Sequence, residues 1–97
     1  MPVVMIMKWE GVTKEQYEAV RKEANWEGNR PKGGNFHVAA FSPAGLHVTD
    51  LWDSAGDFQQ FVETRLMPAV AKVGVQGQPE TQIHPVHAIY SPAYEPA

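Results

Sequence analysis

The spacing of apolar residues changes from one stretch of the chain to the next, and each change marks the border of an element. Pro2 to Trp9 is a Met-rich and β-branched run closed by Glu10-Gly11, the pattern of a buried strand. Thr13 opens a helix in which Tyr17, Val20 and Ala24 recur at helical spacing, while Lys14, Glu15, Glu18 and Lys22 lie elsewhere around it. Gln16 stands three residues after Thr13, as a capping box requires, and Val12 with Tyr17 has the spacing of a hydrophobic staple. Asn25 to Asn35 is broken by Gly28, Pro31, Gly33 and Gly34 and charged by Arg30 and Lys32. It reads as a surface loop, either a functional flap or a solvated connector whose Trp26 packs on the core.

Phe36 to Phe41 and Leu46 to Trp52 flank Ser42-Pro43-Ala44-Gly45, where Pro in the second place and Gly in the fourth suit a type I turn. The two runs therefore form a hairpin. Pairing Ser42 with Gly45 sets Phe41 against Leu46, Ala39 against Val48, and His37 against Asp50. That register puts His37, Ala39, Phe41, Leu46, Val48, Asp50 and Trp52 on one face. Ser54, with Asp57 three residues on, signals a second helix start. Phe58, Phe61, Val62, Leu66, Ala69, Val70 and Val73 form its apolar stripe. Pro68 inside the run predicts a kink near Arg65–Met67 or a second short helix after it. Glu80 to Tyr90 reads as a last strand, held to a sheet edge by Pro85, and 91–97 as an extended tail. The order β-α-β-β-α-β predicts one α+β domain over 1–97. It is a ferredoxin-like sandwich, a four-stranded antiparallel sheet with two helices on one face. Both hairpin faces are largely apolar, so the face without helices is expected to be covered by a second copy of the chain, giving a homodimer.

Composition narrows the partners. Eight basic and eleven acidic residues give a net charge of −3 without a basic block, which argues against nucleic acid or an anionic membrane surface. The chain has no cysteine, so disulfides and thiolate metal sites are excluded. The first apolar run is too short to span a membrane and lacks the features of a signal peptide, so a cytoplasmic location is expected.

The run Val48-Thr49-Asp50-Leu51-Trp52-Asp53-Ser54-Ala55-Gly56-Asp57-Phe58 resembles the antibiotic-biosynthesis monooxygenase-like and stress-responsive dimeric α/β-barrel proteins. Their signature is a strand ending in an aromatic, an acidic residue and Ser, followed by an acidic helix start with an aromatic. The resemblance implies the fold over nearly the whole chain, a dimeric barrel, and a pocket between sheet and helices. Members include cofactor-free quinone-forming monooxygenases, polyketide cyclases, isomerases and haem-degrading enzymes. In monooxygenase members a Trp matching Trp52 and an Asn at the place of Val48 line the pocket; this chain keeps the Trp. Helix two carries no histidine that could serve as a haem ligand.

The residues themselves point to His37 and Asp50 as the candidate catalytic pair. A cross-strand register brings their Cβ atoms to roughly 5 Å, close enough for the carboxylate to orient the imidazole as a general base or acid. Trp52, Phe41 and Val48, joined by Tyr17 from helix one, would supply an apolar wall for a flat substrate. The His spacings send neighbours to opposite faces, so no metal site is expected, and no cofactor fingerprint is present. Arg65 could clamp an anion or sit on a solvated helix face. Two functional readings follow. One is a small cofactor-independent enzyme acting by proton transfer on an aromatic, polyketide-like or quinone-like molecule, as monooxygenase, cyclase or isomerase. The other is a non-catalytic, small-ligand-binding or stress-related homodimer in which His37 and Asp50 only fix the sheet.

Overall fold

A computed structural model describes residues 1–94. Its elements are β1 (Val3–Glu10), α1 (Lys14–Ala24), β2 (Gly34–Ser42), β3 (Gly45–Trp52), α2 (Ala55–Phe61), a π-helical turn (Val62–Leu66), α3 (Met67–Val73) and β4 (Glu80–Pro85). The sheet is antiparallel with strand order β2-β3-β1-β4, the ferredoxin-like arrangement that the element order predicts. β2 and β3 pair with Ser42 opposite Gly45, Phe41 opposite Leu46 and His37 opposite Asp50, so the turn sets the register expected from it. Gly45 is required there: its φ is +138°, and a side chain would run into the Trp9 carbonyl.

Alternation along the strands sends Val3, Met5, Met7, Trp9, Leu46, Val48 and Trp52 toward the helices, where all are buried. Val20 and Ala24 of α1, Phe58 and Phe61 of α2, and Ala69 and Val70 of α3 close over them. Burying one such large side chain contributes roughly 1.5–3 kcal/mol. The opposite sheet face carries no helix, and Ile6, Phe36 and Val38 remain exposed on it.

Both helix starts form as their caps predict. Thr13 Oγ1 accepts from Gln16 N at 3.1 Å while Gln16 Oε1 accepts from Thr13 N at 3.0 Å, and Ser54 Oγ accepts from Asp57 N at 3.1 Å. The break expected near Arg65–Met67 takes a definite form. The chain makes a π-helical turn over Val62–Leu66, closed by Met67 N donating to the Val62 carbonyl, and Pro68 then falls in the first turn of α3. A proline lacks an N–H, and the first turn of a helix is where that donor is not needed. The last strand is shorter than expected: it ends at Pro85, and Val86 N adds one further bond to the Pro2 carbonyl at 3.0 Å. Pro85 therefore sits at the end of an edge strand rather than inside it, because it has no donor with which to continue the ladder. Nor is the tail simply extended. Tyr94 N donates to Ser91 O at 3.0 Å in a turn, and the tail's remaining positions, 95–97, lie outside the described residues.

Candidate functional site

Four side chains from three elements form a continuous hydrogen-bonded row. Tyr17 of α1 places its hydroxyl 2.7 Å from His37 Nε2. His37 Nδ1 lies 2.7 Å from Asp50 Oδ1, and Trp52 Nε1 donates to Asp50 Oδ2 at 3.1 Å. The strand pairing accounts for His37 and Asp50, and the two-residue strand period puts Trp52 beside Asp50 on the same face. A carboxylate only accepts, so Asp50 accepts a hydrogen bond from each neighbour, His37 Nδ1–H and Trp52 Nε1–H. When the ring is neutral, Nε2 is the bare nitrogen and the Tyr17 hydroxyl donates to it, so that each bond in the row then has one direction. Asp50 is buried, and both of its oxygens are satisfied.

Burial pushes the Tyr17 phenol up to about 12, the nearby carboxylates of Glu18, Glu27 and Asp50 adding to the effect and Arg21 opposing it. The phenol therefore stays protonated at neutral pH. Trp26, at the start of the long loop, folds back so that its ring lies 5.1 Å from the His37 ring and 6.0 Å from Tyr17. Tyr17 and His37 are themselves parallel, with centroids 6.1 Å apart.

The row opens on a cavity of about 290 Å³ between sheet and helices, at the small end of ligand pockets. Tyr17, His37, Val48, Asp50 and Trp52 all line it, together with Trp26, Phe58 and Phe61. Phe41 is placed differently: it meets Tyr17 edge-on at 6.0 Å and lines a shallow outer cleft on the far side of Tyr17 and His37. Tyr17, Trp26 and His37 border both spaces, so they form a partition between an apolar cavity and a cleft bearing Glu18, Arg21 and Glu27.

Arg65 takes neither role considered for it. Its Nη2 donates to the Ala24 carbonyl at 2.7 Å and the Asn25 carbonyl at 3.0 Å, and its guanidinium lies 5.4 Å from the Phe61 ring centre. It caps the C-terminus of α1 from the π-helical turn and so fixes the point at which the chain departs toward Trp26. The roles of Trp26 and Arg65 depend on contacts across the fold; their only sequence signal was an aromatic opening a long loop and an arginine beside a predicted kink. Arg30, Gly34 and Asn35 at the cavity rim were legible only as charged and Gly-rich loop. Among the described residues no three His, Asp or Glu side chains converge to hold a metal ion. His47 pairs with Ser42 and His84 with Gln82.

No protein-family model matches the chain, and no curated protein sequence does. Solved structures do. The cofactor-independent oxygenase SnoaB of Streptomyces nogalater is similar with a TM-score of 0.67 at 12% identity, covering 91% of this chain and 95% of that one. Rv0793 of Mycobacterium tuberculosis aligns with a TM-score of 0.66 at 13% identity over 94% of this chain and 100% of the other. A candidate antibiotic biosynthesis monooxygenase of Chloroflexus aurantiacus gives 0.59 at 17% identity over 93% and 98%. The chain shares its fold, the ferredoxin-like arrangement described above, with these solved structures.

Proposed function

We propose that the protein is a cofactor-independent enzyme that removes a proton from an aromatic, polyketide-like or quinone-like molecule bound in the cavity, with His37 as base, Asp50 as its orienting carboxylate and Trp52 as platform. The observation that carries this reading is the directed row Tyr17–His37–Asp50 ending at an apolar cavity. His37 Nε2 is already engaged by the Tyr17 hydroxyl, so the phenol is the conduit. A substrate hydroxyl donates to Tyr17 Oη as Tyr17 passes its own proton to Nε2. The products of that step are a substrate oxyanion, a neutral phenol and an imidazolium facing Asp50. The high pKa of Tyr17 suits this role, since the phenol never has to persist as phenolate. The resulting enolate or phenolate can cyclise, isomerise or meet dissolved dioxygen. In the last case an activated methylene and dioxygen give a carbonyl and water, the substrate being the reductant.

Likeness to SnoaB supports the oxygenase branch at the level of fold. The same reading includes a homodimer through the open sheet face, supported by the exposed Ile6, Phe36 and Val38 there. A competing reading also has an observation behind it: the row is complete without a substrate, as expected of a binding protein whose polar groups merely satisfy one another. Turnover separates the two. Wild type, His37→Ala and Tyr17→Phe are incubated with anthrone-type and β-diketone compounds, following oxygen uptake and solvent-deuterium exchange at the activated carbon. The enzyme reading expects rates that fall by about 10²–10⁴ in His37→Ala with the fold intact. Equal rates in wild type and both variants would refute it.

A further inference from the structure

We propose that Arg30 is the anion-reading end of this cavity and that the occupant is a planar aromatic acid, a one- or two-ring phenol or enol carrying a carboxylate. The inference rests on the cavity's being a ligand site, as in the proposed function, and adds the substrate's charge and the residue that reads it. Arg30 belongs to the cavity lining, which is otherwise mostly apolar. Its Nε–H donates to the Gly34 carbonyl at 2.9 Å and one Nη2–H donates to Asn35 Oδ1 at 2.7 Å. Those two bonds hold the guanidinium plane. A guanidinium has five N–H donors, so both on Nη1 and one on Nη2 are left for a ligand, the pair of nitrogens that grips a carboxylate in a fork. Among the described residues no carboxylate comes within ion-pair distance of Arg30.

The support beneath Arg30 is anchored to the end of β3 and the start of α2. Asn35 is the extra residue of a bulge in β2, and its Nδ2 donates to Asp53 Oδ1 at 2.8 Å. Asp53 N donates to the Gly33 carbonyl at 2.8 Å, and Lys32 lies 4.0 Å from Asp57. The bulge thus turns Asn35 toward Asp53, and the loop is held at the rim by backbone and side chain together.

The indole of Trp52 sets the spacing between the two polar ends. Its Nε1 edge is bonded to Asp50. Its opposite edge, Cη2 and Cζ3, faces Gly34, where a Cβ would come within 3.3 Å of both carbons. Gly34 is the residue whose carbonyl holds Arg30. A flat ring lying on Trp52 therefore has the Tyr17–His37 row at one edge and Arg30 at the other. A hydroxyl at the first edge and a carboxylate at the second satisfy both ends at once.

The test is calorimetric titration of wild type and Arg30→Gln with 6-hydroxy-2-naphthoate, whose hydroxyl and carboxylate lie at opposite ends of the ring system, and with its methyl ester, which lacks the charge. In wild type the acid should bind at least about tenfold tighter than the ester, and this preference should shrink as salt is raised to about 0.5 M. In Arg30→Gln the two ligands should bind within about twofold of each other. Acid and ester binding wild type equally, or a preference that survives Arg30→Gln, would overturn the role of Arg30 while leaving the cavity reading standing. Binding of neither ligand would remove the cavity reading and this inference with it. Should Arg30→Gln not fold, the wild-type preference and its salt dependence decide, and a preference below about twofold refutes the proposal.

Discussion

Replacing Asp50 by Asn tests the direction of every bond in the row. The carboxylate now accepts from His37 Nδ1 and from Trp52 Nε1. An amide of the same shape has one accepting oxygen and one donating NH₂. Trp52 Nε1 can only donate, so it claims the oxygen and turns the NH₂ toward His37. His37 Nδ1 must then accept, which moves the ring proton to Nε2 and makes that nitrogen a donor to the Tyr17 hydroxyl. The base is consumed by the change of tautomer, although no side chain has lost its volume. Two bonds to a charged acceptor, worth about 1.5–3 kcal/mol each, become neutral ones worth about 0.5–1.5 kcal/mol, so the folded state loses roughly 2 kcal/mol. For a chain of this size that is a fall in Tm of roughly 8–16 °C. Nitrogen-15 NMR of the imidazole at about pH 9, where an ordinary imidazole is neutral, reads the tautomer directly. Wild type should show a protonated Nδ1 and a bare Nε2, and Asp50→Asn the reverse. Proton-transfer activity in the variant should fall by about 10²–10⁴. A variant that keeps the wild-type tautomer, or a wild type already carrying its proton on Nε2, refutes the bond directions and the base assigned from them.

Three further outcomes follow from other parts of the structure. Tyr17→Phe should delete an ultraviolet phenolate transition with a midpoint near 12. A raised phenol pKa means the native state holds this proton more tightly than the unfolded chain. The linked stabilisation is therefore complete below about pH 10 and lost as pH rises through about 12. The stability gap between wild type and Tyr17→Phe, measured by urea unfolding, should shrink over that window. Arg65→Ala should remove the cap on the Ala24 and Asn25 carbonyls. The expected cost is roughly 1–3 kcal/mol by denaturant unfolding, with a shift in tryptophan emission as Trp26 loosens; unchanged stability and emission would contradict the anchoring role. Gly33→Ala should cost more than Gly74→Ala. Both glycines have positive φ, but a Cβ at Gly33 meets the Asp57 carboxylate whereas one at Gly74 meets nothing within 4 Å. The backbone penalty alone is roughly 1 kcal/mol, so a difference between the two urea midpoints reports the crowding at Asp57.

The hairpin and the His37–Asp50 pairing were legible because one short turn fixes them. Ser42-Pro43-Ala44-Gly45 determines the register, and register determines which side chains share a face. Trp52 beside Asp50 follows from the strand period alone. The caps at Thr13 and Ser54 are local as well, each spanning three residues. What was not legible depends on contacts between residues far apart in the chain. Arg65 reaches carbonyls about forty residues earlier, and the Tyr17 hydroxyl meets a histidine twenty residues away on a strand. The break at Pro68 was legible in part. Of the two forms expected, a kink or a second short helix, the chain takes the second, with α3 starting at Met67, and the π-helical turn before it is what the sequence did not show. The turn separates Phe61 from Leu66 by five residues and still leaves both lining the cavity.

The same division explains why solved structures match at 12–17% identity while no sequence family does. The fold asks for an apolar residue on alternate strand positions, a glycine where β3 leaves its turn, and a cap at each helix start. Many sequences meet those terms, because volume-conserving exchanges among Val, Leu, Ile, Met and Phe cost little when the pattern is kept. The cavity is the space that this pattern encloses in this chain. Its chemistry is set by the few polar groups that enter it, here Asp50 and His37 from the strands, Tyr17 from α1 and Arg30 from the loop. Each of those depends on a single position and can change without disturbing the pattern. Fold likeness therefore speaks for the architecture, and any proposed reaction has to be argued from these four side chains.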